Sequence, residues 1–446
     1  MSCHYISFSE RFKKYFRSGN HNVFQQATDY LKGLVQSEKS NMERMAEVVP
    51  DTDEQVLQNF LTHSSWDERA VMDQVALDTN KILGGTVDSA LYIDESGFQK
   101  KGTKSVGVAR QWNGRLGKKE NSQIGVFGAL GRQDSVSIID ARLYLPKEWT
   151  DDSTRCDAAK IPRSAQKFKT KIEIALDIVR HAREIGVQFN WVGMDGLYGH
   201  SQWLLQALDD DKVVFMADVH KDQHIYLTDP KPFLPPKKGV RGRQRTCYQS
   251  QEKPIDVSKW AKQQPDSAWT KKTLRSATKG ELEIEVLHKR VWLWDKESER
   301  TNCWHLIVRR EMNDPNTIKF SISNAAKDTS IKKLAQMQAQ RYWIERAFQD
   351  GKSHIGMAQY QARQWQSWHR HMALVMMAML FIVEQRLFHR DQYPLLSCYD
   401  IQVLLARTLP SQQNSEVEIL KQLDARHKKR LAAIEYAQKK QKGLKT

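Results

Sequence analysis

Cysteine is scarce in this chain and poorly spaced for bonding. Five residues, Cys3, Cys156, Cys247, Cys303 and Cys398, are scattered over 446 positions with no C-x-x-C pair. That argues against a zinc ribbon or a disulfide scaffold and fits a reducing compartment. Long apolar runs are missing too. The most hydrophobic, MALVMMAMLFIV (372–383), is too short to cross a bilayer and reads as a buried helix. The opening MSCHYISFSERFKKYF has no apolar segment of the kind a secretion signal needs. The expected location is cytoplasmic, with no membrane partner.

Acid is also in short supply. Against 69 Lys and Arg stand 53 Asp and Glu, for a formal charge of +16. The excess concentrates in KPFLPPKKGVRGRQR (231–245), with six bases and no acid, and in the last 26 residues, with nine bases against two acids. Such a balance favours a polyanionic partner, nucleic acid above all, with Lys237, Lys238, Arg241, Arg243 and Arg245 as candidate phosphate contacts. A solvated basic loop without a partner is the plain alternative. At 40% apolar residues the chain is globular, and its length allows two to four substructures around at least one full core.

What is present falls into blocks. Residues 1–80 carry helical patterns, with Phe24, Ala27, Leu31, Leu34 and Val35 on one stripe and Asp67-Glu68 opening a further helix. Such a region serves either as a DNA-binding head or as helical support. Over 81–225, SALYIDESG, SVGVARQW, NSQIGVFGALG and SVSIIDARLYLP predict four strands. A helix from Ser164 to Ile185, a strand over 189–194, a helix from His200 to Asp209 and a strand over 213–219 follow, making a mixed α/β block. Residues 226–325 alternate as ELEIEVLHKRVWLW, CWHLIVRRE and IKFSIS, a β-rich insertion. Residues 326–400 are helical again, with Thr329 capping a long helix from Ile331 and another spanning Trp368 to Phe388; 401–446 form a basic helical tail.

Two apolar runs end on an aspartate followed closely by glycine: LYIDESG at Asp94 and VGMDGLYG at Asp195. That is a frequent setting for a residue shown at the carboxyl edge of a sheet, and Glu95 faces the other side of its strand. RYWIERAFQDGKSHIGM adds Glu345 on a helix, with Arg341 and Lys352 four residues before and seven after it, on the same side. Converging carboxylates without a histidine cluster favour hard octahedral ions, Mg²⁺ or Mn²⁺. For Glu345 alone, an ordinary surface ion pair with Arg341 is the competing explanation. Trp292 and Trp294, near Lys289 and Arg290, are candidates to stack on a nucleotide base, or else pack one face of a hairpin.

LYIDESG, KGTKSVGVARQWNG, GKKENSQIGVFGAL, WVGMDGLYG and YWIERAFQDGKSHIGM together resemble the cut-and-paste DDE transposases of bacterial insertion sequences. The resemblance implies an RNase H-like (retroviral integrase superfamily) α/β core interrupted by a β-rich insertion. It puts Asp94 on the first strand, Asp195 after the fourth and Glu345 on a late helix. The family often carries Tyr, Arg, Glu and Lys at fixed spacing; Arg341, Glu345 and Lys352 match, while Gln338 stands at the tyrosine position. By the same resemblance, two metal ions held by Asp94, Asp195 and Glu345 serve in-line phosphodiester displacement. Arg341 and Lys352 then face phosphate. Double-stranded DNA, as terminal inverted repeats and as target, is the partner, and a homodimer joins the two ends. The rival expectations are a metal-dependent nuclease without strand transfer and a non-cleaving DNA-binding regulator.

Overall fold

The computed structural model describes residues 1–236, 245–277, 280–312 and 314–441. Its frame is one ten-stranded mixed sheet: β1 (Ala90–Gln99), β2 (Ala109–Asn113), β3 (Lys118–Arg132), β4 (Ser135–Leu143), β5 (Trp191–Met194), β6 (Phe215–Val219), β7 (Thr270–Ala277), β8 (Gly280–Trp294), β9 (Thr301–Glu311) and β10 (Asp314–Ser323). Their order is β7-β8-β9-β10-β6-β5-β1-β3-β2, with β4 also paired to β3. Only β1, β5 and β6 run parallel to their neighbours in this set; the other pairings are antiparallel.

The four expected strands of the first block form, although the second starts at Ala109 and not Ser105. The β-rich segment joins the same sheet: β10 pairs with β6 through Phe320–Val219, Ser321–Asp218, Ile322–Ala217 and Ser323–Met216. The insertion therefore widens the sheet.

Strands buried on both faces read as continuous apolar runs, and β1 shows why. Ala90 and Tyr92 enter one apolar core, and Leu91 and Ile93 the other. The first core holds the N-terminal helices α1 (Ser2–Glu10), α2 (Phe24–Gln36), α3 (Met42–Val48), α4 (Glu54–Thr62) and α5 (Glu68–Leu83). The second is covered by α6 (Lys171–Glu184) and α7 (Gln202–Asp210). The N-terminal helices thus share a core with the sheet, through Phe16, Tyr30, Phe60 and Trp66 among others. Phe60 and Trp66 stack at 5.3 Å.

The helix expected from Ile331 is capped by Ser330 in place of Thr329 and is interrupted at Arg341, giving α8 (Ile331–Gln340) and α9 (Tyr342–His354). Next, α10 (Trp365–Phe388) is long and apolar enough to cross a membrane, yet 78% of its apolar window is buried inside the protein. His371 lies within this core, its Nδ1 2.9 Å from the Tyr30 hydroxyl. After α11 (Cys398–Thr408), the tail helix α12 (Glu416–Gln441) stands largely exposed on the N-terminal helices. Backbone Gln412 N–H donates to Val48 C=O, and Asn414 donates to Glu47 C=O. Farther along, Arg426 pairs with Glu47, and Lys429 with Glu43 and Glu54.

Candidate active site

Register lines up the acidic residues at the carboxyl end of the parallel strands. Ile93 is level with Met194, and Met194 with Ala217. One residue on, Asp94, Asp195 and Asp218 form a row, continued on β10 by Ser321, the pairing partner of Asp218. Successive strand residues face opposite ways. Tyr92 and Met216 both enter the first core, so Asp94 and Asp218 point to that same face, where α9 packs with Ile344, Ala347 and Phe348. Glu95 points to the other face, where Lys171 pairs with it at 2.6 Å.

The side chain of Arg341 joins these elements. Its Nε donates to Asp218 Oδ2 at 3.0 Å, Nη1 to Asp94 Oδ2 at 3.4 Å, and Nη2 to Glu345 Oε1 at 2.8 Å. The sheet row and the helical glutamate thus meet on one guanidinium. Asp218 is held from its other side by Ser321 Oγ at 2.6 Å, and Ser321 in turn accepts from Gln338 Nε2 at 2.7 Å. Gln338, at the position where tyrosine was expected, is buried and serves this chain of bonds. Arg341 is engaged with carboxylates here instead of standing clear for phosphate.

Local sequence explains how Asp195 is fixed. It caps the turn Gly196–Gly199 by accepting from Leu197 N–H at 3.0 Å. A Cβ on Gly199 would lie 1.9 Å from the Asp218 carbonyl oxygen, so only glycine lets this turn rest against β6. The spacing in DGLYG is a packing requirement of the site.

Burial and the neighbouring Asp195 charge push the Asp94 carboxyl well above its ordinary range, against the pull of Arg341. Burial raises Asp195 as well, again opposed by Arg341. Burial works against the charge on Arg341, but Asp218, Asp94, Glu345 and Asp195 outweigh it and hold its pKa above the ordinary value. Glu345 is the most open of the acids, with half its side chain exposed. Lys352 lies farther along α9, its Nζ 3.2 Å from the Gly97 carbonyl and 5.2 Å from the Phe98 ring centre. Among the described residues, no group of three or more His, Cys, Asp or Glu side chains is gathered closely enough to hold a metal ion.

Other candidates lie elsewhere. Register runs from Asp218 through Ser321 and Ile307 to His288, and Trp292 and Trp294 sit four and six residues beyond His288 toward the opposite end. With strands about 4.8 Å apart and about 3.3 Å per residue, Trp292 is roughly 20 Å from Asp218. Trp294 is buried and its Nε1 donates to Ser298 C=O, which leaves no open ring face to stack a base. Lys237, Lys238, Arg241 and Arg243 fall outside the described residues, and Arg245 follows them in a half-buried loop. Asp218 escaped the sequence reading, although VVFMADV ends an apolar run on an aspartate as LYID and VGMD do; no glycine follows it within three residues.

With that geometry established, three comparisons bear on the chain. Residues 12–281 match the family described as DDE superfamily endonuclease, a span that contains Asp94, Asp195 and Asp218 and stops short of Glu345. A probable transposase for insertion sequence element IS701 from Microchaete diplosiphon is 27% identical over 193 residues, 42% of this chain and 47% of that protein. The chain thus spans about half the length of this curated relative. Among solved structures, the NurA nuclease from Sulfolobus solfataricus aligns over 72% of this chain and 92% of its own, at 10% identity and a TM-score of 0.25.

Proposed function

Because this chain belongs to the DDE superfamily endonucleases, we propose that it is a DNA transposase that binds element ends, cleaves their phosphodiester bonds and transfers the 3′-hydroxyls to target DNA. The observation that carries this reading is the meeting of Asp94, Asp218 and Glu345 on Arg341, with Asp195 beside Asp94 in the strand row. The order β4-β3-β1-β5-β6, with β1, β5 and β6 parallel, supports an RNase H-like core. The printed name of the curated relative points the same way.

Mg²⁺ or Mn²⁺ fits the chemistry of these donors. They are hard carboxylate oxygens, burial raises the pKa of Asp94 and Asp195 with the Asp195 charge adding to the rise at Asp94, and a cation already sits among them in the form of the Arg341 guanidinium. Asp94, Asp195 and Glu345 would hold the ions, which supply Lewis acidity and an activated water or 3′-hydroxyl when bound. The protein's own part is orientation. Arg341 keeps Glu345 turned toward the strand row, Asp218 keeps Arg341 in place, and the Gly199 contact holds the Asp195 turn down. Displaced from its carboxylates, Arg341 becomes a bidentate donor for phosphate. Joining two ends in one reaction calls for two active sites, so the working form on DNA is a homodimer, acting in the cytoplasm.

Incubation with labelled duplex bearing the element's terminal repeat and Mg²⁺ should yield 3′-hydroxyl ends and joined products. Asp94→Asn, Asp195→Asn and Glu345→Gln should each lower both by at least about 100-fold, equivalent to about 2.7 kcal/mol of barrier, while end binding persists. Unchanged cleavage in any of the three removes that residue from the site. Cleavage without joining on paired ends makes the protein a nuclease.

A further inference from the structure

Beyond the acidic row, β1 leads to a second feature. Where it ends at Gln99, a cleft of about 730 Å³ opens between the loop that follows, the α2–α3 connection and the segment entering α10. Lys39, Lys100, Lys101, Lys104 and Arg363 line it, and no aspartate or glutamate is among its described lining residues. These bases come from three distant parts of the chain, so no single run in the sequence announces them.

Lys100 is the telling member. Its Nζ donates to the Tyr360 backbone carbonyl at 2.6 Å and lies 5.1 Å from the Tyr360 ring centre. Neither partner is an anion, and burial lowers its pKa to about 8. A desolvated ammonium held, among the described residues, by a carbonyl and an aromatic face is a costly arrangement that an anionic ligand would relieve. Lys39, Lys101, Lys104 and Arg363 are exposed around it and supply the mobile charges that follow a polyanion.

Distance decides what the polyanion is. Lys100 is six residues beyond Asp94 along a strand, about 20 Å at 3.3 Å per residue. Lys352, bonded to Gly97, marks the line between them. Phosphates of one DNA strand follow at about 3.4 Å along the axis, so the same path covers about six nucleotides. We propose that this cleft holds the sugar–phosphate backbone of a DNA strand about six nucleotides from the phosphate being cut. The assignment rests on the DNA-cleaving reading of the acidic row and adds the track by which the strand leaves it.

The test separates the two. The full chain is titrated with a fluorescent duplex of about 30 base pairs in EDTA, across roughly 50–300 mM NaCl. A triple variant, Lys101→Gln with Lys104→Gln and Arg363→Gln, is compared with a control triple at the opposite end of the parallel strands, Lys212→Gln with Lys327→Gln and Lys332→Gln. The cleft variant should bind about 10–100-fold more weakly and lose about 0.9 of salt slope per contact removed, with the control unchanged. Equal losses in both triples, or none in the cleft variant, overturn the cleft assignment while leaving the cleavage reading intact. Failure of the wild-type chain to bind duplex overturns both. Where cleavage is seen, a neutral methylphosphonate about six nucleotides from the cut should weaken wild-type binding and not that of the cleft variant. A sensitive position elsewhere refutes the spacing.

Discussion

Arg341 gives the site its electrostatic character. One guanidinium only partly offsets the burial of the acids around it, so Asp94 still stands well above the ordinary carboxyl range and the metal-free protein carries a standing conflict there. The sign of the consequence follows from linkage. A carboxyl whose folded pKa is raised costs stability above that pKa, and the cost disappears as the pH falls toward the unfolded value near 4. Asp94→Asn should therefore raise the melting temperature of chelated protein at alkaline pH, and the gain should shrink toward pH 5. Thermal melts in EDTA across this range check it. A variant less stable than wild type at high pH would mean that the Asp94–Arg341 bond outweighs the burial cost. Asp94 and Asp195 were legible because each closes a run buried on both sheet faces. The role of Arg341 was not, since the partners of a long side chain depend on strands more than a hundred residues away, and helical spacing reported only its i,i+4 neighbour.

At the scale of elements, the turn after β5 is the tightest join in the site. Gly199→Ala places a methyl 1.9 Å from the Asp218 carbonyl oxygen, so the turn or β6 must shift. A cost of about 1–3 kcal/mol is expected, with activity lost in excess of stability because Asp195 and Asp218 separate. Gly196→Ala meets the His220 ring at 3.5 Å and the Asp218 carbonyl oxygen at 3.9 Å, both ordinary contacts, and should be close to neutral. Denaturant melts and cleavage assays on the pair check the contrast; equal effects would deny Gly199 its special place. Alternation in ELEIEVLHKRVWLW and CWHLIVRRE correctly announced strands in the insertion. Period-2 patterning says nothing about the neighbour a strand takes, so its attachment through Ser321 and Asp218 had no signal in the sequence. The cleft at Lys100 was hidden for the same reason: its walls meet only in the folded chain.

Taken whole, the molecule is a sheet between two apolar cores, with α12 outside both. The amphipathic stripe of α2 was readable as a buried face, and the helical pattern of the tail forms one helix of 26 residues. Among the described residues, its ion pairs past Asn414 are a largely sheltered one of Arg426 with Glu47 and open ones of Lys429 with Glu43 and Glu54 that water reaches. Such pairs contribute little each and weaken as the screening length drops from about 10 Å at 0.1 M salt to about 3 Å at 1 M. Concentrated salt should thus swing α12 off the body like a boom about 39 Å long. Small-angle scattering should record a larger radius of gyration and a longer maximum dimension at 1 M NaCl than at 0.1 M, with unchanged helicity. An envelope indifferent to salt would mean that apolar contact seats the tail. An envelope that grows with salt instead gives the chain two hydrodynamic shapes selected by the ionic strength around it.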